Sequence, residues 1–245
     1  MQKSAPPASI MVRVRVYERA KNFRLRIGAD GEPVISVPAR GNIGQAERFL
    51  HEHGSWLVRK LREHPEPVPF TDGAKIPIRG QLHEIRATRK LRGRVETRAR
   101  TENETGPADT PLLLVPGDER HMARRLEDWL KKQARTDLEA ASHFHAERLG
   151  VQIRAISVRA QSGRWGSCSS SGRLNYNWRL VMAPGFVLDY VAAHEVAHIC
   201  ELNHSEAFWA KVRQTLADME RGRDWLKKNG NQLMAYGQKK RLRTD

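Results

Sequence analysis

The chain is poor in cysteine, with two in 245 residues, and this excludes a disulfide framework and most structural zinc knuckles. Cys168 and Cys200 read as small buried thiols of a reducing compartment. No apolar run approaches the ~20 residues of a membrane helix, and Met1 to Ile10 holds two prolines and no apolar signal core. A cytoplasmic protein without a membrane span is therefore expected. Acidic residues are also scarce, 28 against 43 Lys and Arg, which leaves a formal charge of +15. Such a surface favours acidic partners or serves solubility alone. A hydrophobic fraction of 39% excludes a disordered chain.

What is present reads as an α+β protein. Val12, Val14 and Val16 alternate with arginines, as do Phe23, Leu25 and Ile27, and both runs predict strands. Ala29 to Pro33 is a turn before the strand of Val34, Ile35 and Val37. Residues 43–63 read as one helix with Phe49, Leu50, His53, Trp56, Leu57 and Leu61 on one stripe, stopped by His64-Pro65-Glu66-Pro67. Ile76, Ile78, Ile85 and Leu112 to Val115 mark further strands. Between them, Arg86 to Arg100 carries seven bases against one acid and reads as an exposed hairpin or loop.

Asp118 is placed to cap a long helix, 119–149, closed by Gly150. Strands are expected at 152–158 and 174–182. Pro184 suits the first turn of a helix running through Cys200, and Ser205 caps the next. These elements suggest a β-rich part over 1–116 that includes the 43–63 helix, then an α+β part over 117–245 that ends in the basic tail 239–243.

The second part holds the chemistry. His194-Glu195-Val196-Ala197-His198 places two imidazoles one helical turn apart on one face, where they can converge on one ion. Glu195 lies beside the first histidine. Its carboxylate can reach a water at the metal without taking a coordination position. The flanks Tyr190 to Ala193, Val196, Ala197 and Ile199 are apolar or small, as a buried helix requires. Catalytic zinc usually keeps a third protein ligand. His204 is the leading candidate, with Glu201 and Glu206 as rivals. To bring it back, Glu201-Leu202-Asn203 must reverse the chain, and Asn203 tolerates a left-handed backbone. The other histidines read as ordinary core or surface residues.

Arg164-Trp165-Gly166-Ser167-Cys168-Ser169, Leu174 to Leu180, Ala183-Pro184, the helix motif, Asn203-His204-Ser205 and Phe208-Trp209 together resemble the YgjP-like metallopeptidases, relatives of the SprT-type zinc proteases. The resemblance is strong over about 119–230 and looser before it. It implies a minimal zincin-like (gluzincin-like) domain, one zinc ion on His194, His198 and His204, and Glu195 as general base and acid. It also implies a peptide or protein substrate, and a cleft to which Trp165 and Asn177 contribute. Candidates for holding the oxyanion are Arg164, Asn177 and Tyr190. Given the charge and such relatives, nonspecific nucleic-acid binding through 86–100 and 239–243 is a further expectation. The competing class is a nucleic-acid- or protein-binding module with a structural or vestigial zinc site. Glu195 argues against it, since a structural site needs no base beside its ligand.

Overall fold

The structure, a computed structural model, describes residues 10–28, 31–90, 92–101, 104–107, 109–161 and 163–238. The basic tail 239–243 and part of the turn expected at Ala29 to Pro33 lie outside the described residues. The chain forms two compact units, Met1–Pro65 and Glu66–Asp245. The division therefore falls at Pro65 and not at residue 116. The strands between those points pair with one another and pack with the following helix, so they belong to the second unit.

In the first unit, β1 (Arg13–Tyr17), β2 (Arg24–Ile27) and β3 (Pro33–Pro38) form a sheet of order β1-β3-β2. Ile35 and Val37 of β3 are buried with Ala46, and Phe23, Leu25, Phe49 and Leu50 pack around them. The helix expected over 43–63 is two helices, α1 (Ile43–Glu52) and α2 (Gly54–Arg62). The break is at His53, with φ −102° and ψ 9°, and Gly54 follows it. Glycine weakens a helix interior by about 1 kcal/mol, so the chain bends where continuing costs most.

The second unit opens with β4 (Lys75–Ile78), β5 (Gln81–Ala87), β6 (Glu96–Arg98) and β7 (Leu112–Val115), in the order β4-β5-β7-β6. Of the two readings of 86–100, hairpin or loop, its end follows the first, because β6 pairs antiparallel with β7. Its arginines are partly neutralised. Arg86 and Arg100 both pair with Glu84, and Arg98 pairs with Glu104 at 2.7 Å.

Helix α3 (Glu119–Leu149) runs as expected, capped by the Asp118 side chain and closed by Gly150 in the left-handed conformation at φ 66°. Its buried residues Met122, Leu126, Leu130, Ala134, Leu138, Ser142 and Ala146 recur every fourth position, a ladder that fixes one face inward. The second sheet, of order β8-β10-β9, comprises β8 (Ala155–Arg159), β9 (Gly166–Cys168) and β10 (Arg173–Asn177). A 3₁₀ helix (Trp178–Met182) leads into α4 (Gly185–Cys200), with Pro184 at the cap position rather than inside the first turn.

α4 is buried on nearly all sides, as its apolar sequence dictates. It packs against α3, α5 (Glu206–Thr215) and α6 (Met219–Ala235). No described helix is long and apolar enough to cross a membrane.

Arg179 locks the end of α6 to this core. Its guanidinium lies 4.4 Å over the Trp178 ring, and its Nε donates to the Tyr236 carbonyl at 2.9 Å. Burial lowers its pKa from the ordinary arginine value, opposed by Glu127. Arg179→Ala removes a charge-assisted bond and a stacked cation, and should destabilise the protein by about 2–3 kcal/mol. Urea unfolding monitored by circular dichroism checks this. A shift below about 0.5 kcal/mol would show the contact to be idle.

Candidate metal centre

His194 and His198 come from adjacent turns of α4, and His204 from the connection to α5. Each offers a ring nitrogen, and the three nitrogens lie within 4.8 Å of one another. His194 Nε2 and His204 Nε2 are 3.1 Å apart. Two zinc-bound nitrogens at ~2.0 Å in tetrahedral geometry lie about 3.3 Å apart, so this spacing fits a shared ion. The rival ligands stand elsewhere. Glu206 pairs with Arg213, and Glu201 contributes its backbone.

The chain reverses without a left-handed residue. Glu201 caps α4 in an extended conformation, and Asn203 is not among the described residues with positive φ. The Ser205 N–H donates to the Asn203 carbonyl at 2.8 Å, and the Ser205 side chain accepts from Phe208 N–H. This places Phe208 in the first turn of α5, fully buried, with its ring centroid 4.9, 4.5 and 4.8 Å from those of His194, His198 and His204. A single phenyl ring therefore supports all three imidazoles.

His198 Nδ1 lies 3.0 Å from the Glu201 carbonyl. As a donor there it fixes the tautomer and turns Nε2 toward the other two rings. Burial pushes the His194 pKa down to about 3, with repulsion from His198 and His204 adding to it, so that imidazole stays neutral. Neutral imidazoles with lone pairs turned on one point are the donor set that zinc takes. Nδ1 of His194 is buried without a hydrogen-bond partner among the described residues.

Glu195 is 5% exposed and points to the β9 side of α4. A Cβ built on Gly166 would stand 2.6 Å from its Cγ and 2.7 Å from its Cδ. The strand backbone and the carboxylate thus share a space that only glycine leaves open. Burial raises the Glu195 pKa to about 7, while Arg164 draws it down. Cys168, two residues along β9, has its thiol pushed up to about 11, chiefly by burial and then by Glu195.

The remaining predicted residues divide. Arg164 is exposed and near enough to Glu195 to act on its charge. The Asn177 amide is fully buried. It donates to the Gln161 carbonyl at 2.8 Å and accepts from Arg179 N–H at 3.1 Å, so it ties the loop before β9 to the 3₁₀ helix. Trp165 is half-buried and packs on α6 at Gly230. Tyr190 is buried, its ring centroid 5.9 Å from that of His194, and Gly222 of α6 lies against its Cβ. Sequence reasoning missed the roles of Gly166, Phe208 and the Glu201 carbonyl. The glycine within Arg164 to Cys168 was the one available signal.

The family profile described as YgjP-like, metallopeptidase domain matches residues 21–229, most of the chain. No curated protein matches the sequence. One solved structure, the crystal structure of the metallopeptidase zymogen of Pyrococcus abyssi abylysin, matches 39% of this chain and 94% of its own at 20% identity, with a TM-score of 0.35. At that level the likeness bears on neither fold nor chemistry.

Proposed function

Because the chain belongs to the YgjP-like metallopeptidase family, we propose that it is a zinc-dependent peptidase with a zincin-like catalytic domain, in which His194, His198 and His204 hold one ion and Glu195 is the general base. The observation that carries this reading is the convergence of three ring nitrogens within 4.8 Å beside a buried carboxylate. Zinc, when bound, acidifies a water toward a pKa near ~7 and acts as a Lewis acid. Glu195 takes the proton of the attacking water and returns it to the leaving amine. Burial raises the pKa of its carboxyl, which favours uptake of that proton.

Arg164 is the better placed of the oxyanion candidates, since Asn177 spends its amide inside the fold and Tyr190 is packed between helices. A peptide substrate is favoured by β9. It stands at the edge of its sheet and packs against α4, so an extended chain has unpaired backbone groups to bind there. Cys168 and Cys200 are both free thiols, in keeping with a cytoplasmic enzyme.

The test is hydrolysis of unstructured protein and fluorogenic peptides. Activity should fall to background with a chelator and return with zinc. Hydrolysis unaffected by chelation would remove the proposal.

Of the basic segments expected to contact nucleic acid, the tail lies outside the described residues. In 86–100, Arg86, Arg98 and Arg100 are spent on internal ion pairs. Arg89, Lys90, Arg92 and Arg94 are what that segment offers a polyanion.

A further inference from the structure

The first unit carries a second surface with a chemistry of its own. Residues 10–28 hold six Lys or Arg against one Glu. Strand pairing sorts them. Arg13 of β1 and Arg26 of β2 both lie opposite Val34 of β3, and Arg15 and Arg24 both lie opposite Ser36. Directly opposed residues share a face of a sheet. Four arginines therefore stand in two rows on one face, and Tyr17, two residues after Arg15, stands on the same face.

The other face takes Val14, Ile35 and Leu25 in one row; Ile35 and Leu25 belong to the core with Ala46 of α1, and Val14 at its edge is 49% exposed. The arginine face is open: Arg13, Arg15 and Arg24 are exposed, and Tyr17 is 41% exposed. Arg13 pairs with Glu32. Arg15, Arg24 and Arg26 have no carboxylate partner among the described residues. Arg15 and Arg26, beside the Tyr17 hydroxyl, lower its pKa from the ordinary value.

Rows of arginine on one strand repeat about every 6.6 Å, and rows on strands flanking a third are about 10 Å apart. Such a flat grid of cations beside an exposed aromatic ring suits a phosphate backbone whose bases are free to stack. A membrane surface is a poorer fit. Anchoring there needs large apolar side chains on the cationic face, and Val14 and Val16 belong to the opposite one. We propose that the open face of the N-terminal sheet binds single-stranded nucleic acid, with Arg15, Arg24 and Arg26 on phosphates and Tyr17 against a base.

The test uses the full chain, fluorescence anisotropy with a labelled oligothymidylate and an oligouridylate, and a salt titration. Each phosphate neutralised on a single strand contributes about −0.7 to the slope of log affinity against log salt. Arg15→Ala/Arg24→Ala should therefore flatten the slope by about 1.4 and weaken binding about tenfold or more. Tyr17→Ala should weaken it about tenfold with the slope unchanged. Arg15→Lys/Arg24→Lys should retain the slope, which separates lost cations from lost fold. Arg120→Ala/Arg124→Ala removes the same charge from exposed positions of α3 and should leave binding near wild type.

An equal loss in that α3 pair would overturn the proposal, because net charge alone would then account for binding. Equal affinity for a duplex would overturn the stacking role of Tyr17, and with it the preference for single strands. Binding to phosphatidylglycerol vesicles without binding to either oligonucleotide would assign the face to lipid instead. No binding to any of these would overturn it outright. The choice between DNA and RNA follows from the two oligonucleotides. None of these outcomes depends on zinc or on peptidase activity.

Discussion

Glu195→Gln should keep the metal and lower peptide hydrolysis by about 10²–10⁴-fold. The amide is nearly isosteric with the carboxylate and fits the same space between α4 and β9. It cannot accept a proton from water at neutral pH. The side chain is 5% exposed, and burial raises its pKa, which favours taking a proton from water. The three imidazoles are untouched by the change, and their nitrogens stay within reach of one ion. The informative comparison is kcat beside zinc stoichiometry on the same preparation. Loss of both would mean that Glu195 supports the metal rather than the reaction. Retention of full turnover would place the base elsewhere.

Gly166→Ala should produce a similar loss without touching any group that reacts, of about 10²-fold in kcat. The added methyl would lie 2.6–2.7 Å from the Cγ and Cδ of Glu195, well inside contact distance. β9 pairs with β10 through Tyr176↔Gly166 and cannot retreat easily. Tyr176 is itself fully buried and bonded to Ser142 of α3 at 2.9 Å. The carboxylate must therefore swing away, and a shift of about 1 Å is enough to cost two orders of magnitude. Overpacking adds about 1–3 kcal/mol of destabilisation. Thermal melting and zinc content distinguish a misplaced base from a lost fold. An alanine variant with normal kcat would show that β9 does not set the position of Glu195.

Much of this centre could be read from spacing. Two histidines four apart on an apolar helix can face only one way, so α4 and its two ring nitrogens followed from local sequence. Asp118, Gly150 and Ser205 marked their helix ends because capping is a short-range interaction. What escaped was long-range. Nothing near Phe208 says that its ring will sit beneath three imidazoles. Nothing near Gly166 says that a carboxylate from a helix 29 residues later will fill the space left by its missing side chain.

The structural part that Asn177 plays was equally out of reach. The resemblance implied a cleft residue, and its side chain satisfies buried backbone groups at 2.8 and 3.1 Å. The domain boundary at 116 failed because the sequence shows where strands end but not which sheet they join. The helix over 43–63 was read through its apolar stripe, which continues across the break at His53 although the backbone does not.

The most direct measurement is the zinc content of the purified protein beside that of His198→Ala. One zinc per chain is expected in the wild type and its loss in the variant, since removing one of three imidazoles leaves a site too weak to hold the ion. A wild-type protein that takes up no zinc even when supplemented, or a variant that binds it as well as the parent, would contradict the assignment of His194, His198 and His204 as the metal centre.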